Sequence, residues 1–501
     1  MNHGLILPIL LPMFAGSLLL LGAGLSMRFK RCVSLLATLS LLPLSGYLLW
    51  LADHDVLQMY AAGNWAAPFG IILLLDRLSA LLLVVTAVLG SFALLYAVRG
   101  DDERGQSFHA LFQFQLMGIN GAFLTGDLFN LFVFFEILLI ASYSLLLHGG
   151  GVERVRAGLH YVVLNLVGSA FFLLAVGVLY GITGTLNMAD MAIRVAAAGP
   201  DDAALLGAAG LLLLVVFGLK AAFMPLYFWL PKAYASANAP VAALFAVMTK
   251  VGLYSIIRVY TLIFGDDAGT LANMANDWLW PIALLTLALG VIGALAAVSL
   301  QGLLAYLVVV SVGTLLAGIA IGTEQALAAA LYYLVHSTWV AGGLFLLADL
   351  IARQRGAKQA LLVQGPALQN PHVLSALFFF GAIAVAGLPP LSGFIGKLLL
   401  LRSLEPGLQA LLLWPVVLGG SLLTLIALSR AGSMLFWRVG LSQLDSAELD
   451  YGRLLACTGL LALSLVLMLF AAPLLSYVEA TASQLHDLAL YRQIIESGAV
   501  R

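Results

Sequence analysis

Charge is what this sequence has least of. Only 9% of its 501 residues are Asp, Glu, Lys or Arg, against roughly a quarter in an average soluble domain. So few charges cannot clothe a soluble fold of this length, and 62% of the residues are hydrophobic. The net charge of -1 offers no basic field for nucleic acid. Cysteine is nearly missing: Cys32 and Cys457 are too few for a zinc site or an iron–sulfur cluster, and both read as small core residues. There is no Cys-x-x-Cys, haem-ligand pair or P-loop. Gly149-Gly150-Gly151 follows no strand and is no dinucleotide fingerprint. No cofactor and no metal are therefore expected, and neither ATP hydrolysis nor electron transfer by the chain itself. Strands of alternating apolar residues are also missing, which excludes an outer-membrane barrel.

What the sequence does have is apolar runs of about 20 residues, each long enough to cross a hydrocarbon core. The chain reads as an all-α polytopic membrane protein with a single transmembrane domain over 1–501. Fourteen spans are predicted, near 4–25, 32–52, 70–98, 108–125, 127–148, 158–182, 204–223, 240–264, 278–298, 301–321, 325–351, 373–402, 408–436 and 454–478. The first has no basic leader or cleavage site and reads as a retained span. Residues 185–202, interrupted by Asp190, Arg194, Asp201 and Asp202, read as a re-entrant or surface segment. Connections after odd-numbered spans are basic, with Arg28, Lys30, Arg31, Arg99, Arg104, Arg154, Arg156, Lys232, Arg353, Arg355, Lys358, Arg438 and Arg453. Those after even-numbered spans are acidic, as in Asp53-His54-Asp55, which reads as a hydrated loop and not a metal site. The Lys/Arg bias marks the cytoplasmic face and puts both termini outside.

Two spans are broken by proline. In the seventh, Lys220 precedes Pro225 and Pro231; in the twelfth, Gly387-Leu-Pro389-Pro390 precedes Lys397. Broken backbone at membrane depth persists only where protein or a wet cavity satisfies it, and paired breaks in two halves point to a transporter site. The broken spans are five apart, so tandem five-helix units must be inverted. Spans 4–8 (108–264) and 9–13 (278–436) are the expected repeats, flanked by 1–98 and 454–478, with Lys220 and Lys397 as counterparts.

Charges inside spans are few: Glu136, Lys220, Lys250, His336 and Lys397, so that three of only six lysines are intramembrane. Each such charge costs about 2.5–3.5 kcal/mol on insertion scales and is a functional hypothesis by default. Burial draws a lysine toward neutrality and a nearby carboxylate opposes this, so a Lys whose Glu partner moves loads and releases a proton. Asp76, Arg258, Asp349 and Arg402 sit at span ends, where anchoring or surface pairing is expected.

These residues carry a resemblance. Glu136, Lys220-x4-Pro225-x3-Trp229-Leu-Pro231, Ala239-Pro240, Lys250-x-Gly252-x-Tyr254 and Gly387-Leu-Pro-Pro390 with Lys397 resemble the proton-translocating antiporter-like subunits. That family serves respiratory complex I, membrane-bound hydrogenases and the multisubunit Mrp cation/proton antiporters. The phrase Pro225-Leu-Tyr-Phe-Trp-Leu-Pro231, with Tyr227 and Tyr234 where complex I relatives usually have histidines, is most similar to the Mrp D type. The resemblance implies a subunit of a Na+ (or K+)/H+ antiporter in a bacterial plasma membrane, driven by the proton-motive force. Its partners would be an A-type homologue and small membrane subunits, and Glu136, Lys220, Lys250, His336 and Lys397 would form the proton relay. The alternative is a pump module of a redox enzyme. One departure stands out: the lysine that many relatives carry a turn after the histidine is missing here, where His336 precedes Ser-Thr-Trp-Val-Ala-Gly-Gly. Buried water, Tyr332 or Tyr333 would then have to bridge Lys250 and Lys397.

Overall fold

Apolar runs punctuated by proline, glycine and capping residues set the helix boundaries. The computed structural model describes residues 3–54, 57–65, 70–440 and 448–492. Its helices are α1 (Leu7–Leu21), α2 (Met27–His54), α3 (Arg77–Ala97), α4 (Phe108–Leu124), α5 (Leu128–Leu147), α6 (Val152–Thr183), α7 (Met188–Ala196), α8 (Pro200–Ala221), α9 (Trp229–Ser236) and α10 (Ala239–Phe245). There follow α11 (Met248–Leu262), α12 (Asn276–Ala296), α13 (Leu300–Ile321), α14 (Glu324–Gln354), α15 (Pro371–Ala386), α16 (Ser392–Arg402), α17 (Leu408–Gly432), α18 (Tyr451–Leu469) and α19 (Ala471–His486). Each predicted span falls on one of these or on a consecutive pair. Among the described residues, eleven helical stretches are long and apolar enough to cross a membrane. An antiparallel hairpin, β1 (Gln58–Ala61) with β2 (Ile72–Leu75), pairs Gln58 with Leu75 and Ala61 with Ile72.

Capping side chains begin several of the helices. Asp76 accepts from Ser79 N, Asp127 from Asn130 N, Ser299 from Gly302 N and Thr323 from Ala326 N, each satisfying an orphan N–H. Prolines inside helices leave carbonyls that must also be matched. Pro12 has no N–H for the carbonyl of Pro8, and Asn120 of α4 donates to that carbonyl at 2.9 Å. The segment expected at 185–202 includes the short helix α7, capped by Asn187 and turning Met188, Met191 and Val195 inward.

The centre of the bundle is α3, α10–α11, α13 and α14, whereas α2, α6, α12 and α17 show an apolar face outward. That arrangement corrects one expectation: Cys457 is buried, but Cys32 lies on the exposed side of the peripheral α2.

The basic loops meet at one end. Arg31 binds Asp102 through Nε at 2.6 Å and Nη2 at 2.8 Å. Asp101 is held by Arg104, Arg353 and Arg453 at 3.0, 2.8 and 2.9 Å. Arg353 and Arg453 also reach Asp349, at 2.5 and 3.3 Å. Burial raises the Asp101 carboxyl above its ordinary value, aided by the Asp349 charge and opposed by these arginines. Burial acts the same way on Asp102, but hydrogen bonds from Arg31 and His109 prevail and take it down to about 2.

At the other end Asp53 pairs with Arg77, and His54 bonds the Trp50 carbonyl at 2.8 Å; Asp55 lies outside the described residues. Asp76 and Arg258 correct the expectation of surface pairing. Their 2.6 Å bond is wholly buried, and Tyr491, Ser79 and Tyr254 complete the network. Residues 182 positions apart face each other there because α3 and α11 are both central.

Candidate functional site

The first break follows from local chemistry. α8 ends at Ala221, Ala222 takes a left-handed turn at φ 63°, and the chain resumes as α9 at Trp229. The carbonyls stranded at the end of α8 need donors, and the Trp229 indole Nε1 reaches Leu219 O at 3.0 Å. Gly252 brings α11 against the same end: a Cβ there would stand 2.4 Å from Ala221 N. Gly252 in the motif Lys250-x-Gly252 is thus a contact residue, holding the helix that carries Lys250 against the turn that carries Lys220.

Lys220 is buried in the last turn of α8. Its ammonium donates to Asn165 Oδ1 of α6 at 3.1 Å and lies 5.8 Å from the centre of the Phe135 ring. Glu136 is half-buried on α5 and accepts a short hydrogen bond from Ser169, one turn beyond Asn165 on the same helix. No direct ion pair joins Glu136 to Lys220; α6 stands between them. Asn165 and Ser169 escape a reading of sequence, since only tertiary packing distinguishes them from other small polar residues in apolar helices.

The second break lies between α15 and α16. Gly387 adopts φ 78°, closed to most side chains. Lys397 lies after this break and Lys220 before the first, so the two are not placed alike along the chain. The Lys397 ammonium nevertheless turns back, donating to Val385 O at 3.2 Å, Ala386 O at 3.0 Å and Ser421 Oγ of α17 at 2.9 Å. It covers the stranded carbonyls of α15, which carry the negative end of that helix dipole.

His336, on α14, joins this break. Its Nδ1 shares a 2.7 Å hydrogen bond with Ser392 Oγ, which is 2.8 Å from Ser464 Oγ of α18. Gly393 makes room, since a Cβ there would lie 2.0 Å from Ala384 O and 2.7 Å from His336 Nε2.

Lys250 is fully buried between the two breaks and donates to Ser311 Oγ of α13 at 3.3 Å and Thr249 Oγ1 at 3.4 Å. Ser311 also lines a cavity of about 20 Å³ with Tyr333, His336, Ser337 and Val385. That volume admits about one water, and its wall supplies hydroxyls and an imidazole as partners. The cavity lies in the gap noted between Lys250 and Lys397, and Leu304, Leu307, Ala341 and Leu344 complete its wall. Tyr333 stands in it, whereas the Tyr332 hydroxyl points away to Leu467 O at 3.0 Å.

At the basic end a cavity of about 1410 Å³ runs from Arg104, Arg154, Arg156 and Lys232 inward to Tyr234 and Tyr306. Arg154 frames its wall, bonding Ser236 O, His148 O and Asn238 Oδ1 at 2.8, 3.0 and 2.6 Å. Burial lowers the neighbouring His148 imidazole from its ordinary value.

Residues 125–426 match the family model described as NADH:quinone oxidoreductase/Mrp antiporter, TM. A relative from Rhizobium meliloti (strain 1021), named as a probable K(+)/H(+) antiporter subunit of the D type, is 42% identical across 97% of this chain and 96% of its own length. Another from Bacillus subtilis (strain 168), named as a Na(+)/H(+) antiporter subunit of the same type, is 42% identical across 79% and 80%. A chain in the structure of the Mrp complex from Dietzia sp. DQ12-45-1b superposes with a TM-score of 0.87 at 25% identity, covering 99% of this chain and 100% of that one. With its interrupted helices, buried lysines and near full-length similarity to these subunits, the chain belongs to the NADH:quinone oxidoreductase/Mrp antiporter transmembrane family.

Proposed function

We propose that this chain is the proton-carrying D-type subunit of a hetero-oligomeric Na+ or K+/H+ antiporter in a bacterial plasma membrane. It is a transporter subunit and not an enzyme. One observation carries the relay assignment. Lys220, Lys250 and Lys397 are buried and bond only neutral oxygens among the described residues. Of the buried arginines, Arg258 and Arg453 are matched to carboxylates and Arg355 to the carbonyls of Gln359, Leu361 and Val363. Arginine is charged permanently, while a buried lysine can become neutral. Three lysines held this way can take up a proton and pass it on.

The proton would enter or leave through the basic vestibule and move among Glu136, Lys220, Lys250, His336 and Lys397. The one-water cavity beside Ser311 would connect Lys250 to the second break. We read the chain as fourteen crossings with both termini outside, and residues 108–264 and 278–436 as inverted repeats that meet where Lys250 bonds Ser311. The A-type homologue and small membrane subunits are the proposed partners.

The test is cation-induced collapse of ΔpH in everted vesicles from an antiporter-deficient host expressing the chain with its genomic neighbours. Wild type should respond to Na+ or K+, and Lys220→Ala at matched abundance should not. Silence of the assembled wild type would favour a redox-driven pump module. A fully active Lys220→Ala would remove that lysine from the relay.

A further inference from the structure

Two neutral residues on α6 occupy the position where an ion pair would be expected. Asn165 and Ser169 are one turn apart and both buried. A mid-helix Asn in a membrane is unfavourable unless its amide is used. Asn165 uses both ends of its amide. Its Nδ2 donates to Tyr161 O at 2.9 Å, which fixes the orientation and leaves Oδ1 for Lys220.

Ser169 has one hydroxyl proton and two acceptors in reach, the Glu136 carboxylate and Asn165 O at 3.0 Å. The Lys220 ammonium approaches that same carbonyl at 3.5 Å. The contacts are therefore linked: when Ser169 donates to Glu136, Asn165 O is free to accept from Lys220. Between the two, Gly168 cuts back the helix face. A Cβ at Gly168 would stand 2.6 Å from Leu219 and 3.9 Å from Lys220 Nζ. The other titratable side chains on elements packed around this end of α8 are Tyr143 on α5, Tyr161 on α6, Lys250 and Tyr254 on α11, and Tyr227 after the break.

We infer that Asn165 and Ser169 form a neutral cradle that holds the Lys220 ammonium and the Glu136 carboxylate apart, so that the pair closes only when Lys220 exchanges the Asn165 amide oxygen for Glu136. They are positioning residues, and the inference rests on the relay reading above. A cradle of neutral oxygens makes either partner cheap to leave. A charged residue in its place would trap the lysine.

The test uses the complete antiporter in everted vesicles, with ΔpH collapse followed across pH at matched abundance and assembly. Asn165→Asp should lower transport at neutral pH about ten-fold and move the half-maximal point of the pH profile upward by about one unit. Ser169→Ala should also displace the profile, and Ser169→Thr, which keeps the hydroxyl, should restore it. The Ser169→Ala and Ser169→Thr pair still decides the matter if Asn165→Asp fails to assemble. Profiles superimposable on wild type for Asn165→Asp and Ser169→Ala, with Lys220→Ala inactive, would overturn the cradle and leave the relay standing. Full transport by Lys220→Ala would instead overturn the relay on which the cradle rests.

Discussion

Gly252→Ala adds one methyl group where α11 touches the end of α8. The new Cβ would lie 2.4 Å from Ala221 N and 2.8 Å from Ala221 Cα, against an ordinary contact of 3.4 Å or more. Both atoms are backbone, so no side chain can rotate out of the way, and the helices must part by about 1 Å to restore normal contact. Overpacking of this kind costs about 1–3 kcal/mol. The functional loss should be larger, because the displaced atoms adjoin Lys220 and the helix carries Lys250. A misplacement of about 1 Å in a positioned site can cost on the order of 100-fold. Cation-induced ΔpH collapse in everted vesicles, at matched abundance, measures it. Gly177→Ala is the control: that glycine has nothing within 4 Å of an added Cβ, and Ala is the better helix former by about 1 kcal/mol. Transport by Gly252→Ala equal to that of Gly177→Ala would refute the claim that this contact positions the two lysines.

At the basic end, Asp102→Asn should destabilise the assembled protein by about 2 kcal/mol near neutral pH. The folded-state carboxyl sits at about 2 against an ordinary 3.8, so its stabilisation is full above the ordinary value and fades as pH falls toward 2; thermal unfolding in detergent at about pH 7 and about pH 3 should show the deficit shrinking on acidification. At the other end, Asp76→Ala leaves the Arg258 guanidinium buried without its carboxylate and should cost about 3–5 kcal/mol. The double variant Asp76→Ala/Arg258→Met should recover part of that in the same unfolding measurement, and a double variant less stable than Asp76→Ala would contradict the assignment.

The bundle is readable from sequence because its signals are local. Apolar runs, and prolines that cannot donate, mark spans and breaks within a few residues of themselves, and α8–α9 and α15–α16 divide beside the prolines that predict it. Glu136, Lys220, Lys250, His336 and Lys397 stand out for the same reason, each being a group that hydrocarbon disfavours. What each group touches is not readable. The direct Glu136–Lys220 pairing gives way to Asn165 and Ser169, ordinary polar residues until α6 is packed between α5 and α8. Asp76 and Arg258 look like span-end anchors because their burial depends on a contact between residues 182 positions apart, closed over by Tyr491. Gly252 and Gly393 belong to recognisable patterns, yet their cause lies in backbone atoms of other helices.

The division between arginine and lysine joins these observations. Arginines paired with carboxylates tie loops and helices together at both ends of the bundle, through Arg258 and Asp76 at one and Arg353, Arg453 and Asp101 at the other. A guanidinium stays charged in every state of the protein, so these pairs suit clamps that do not change. The interior lysines are held by an amide, by hydroxyls and by helix-end carbonyls, dipoles that tolerate both a charged and a neutral amine. Clamped ends and a neutral-lined middle let protonation change inside the bundle without dismantling the contacts that hold it together. On this argument, a carboxylate placed against an interior lysine should hinder transport more than it strengthens the fold.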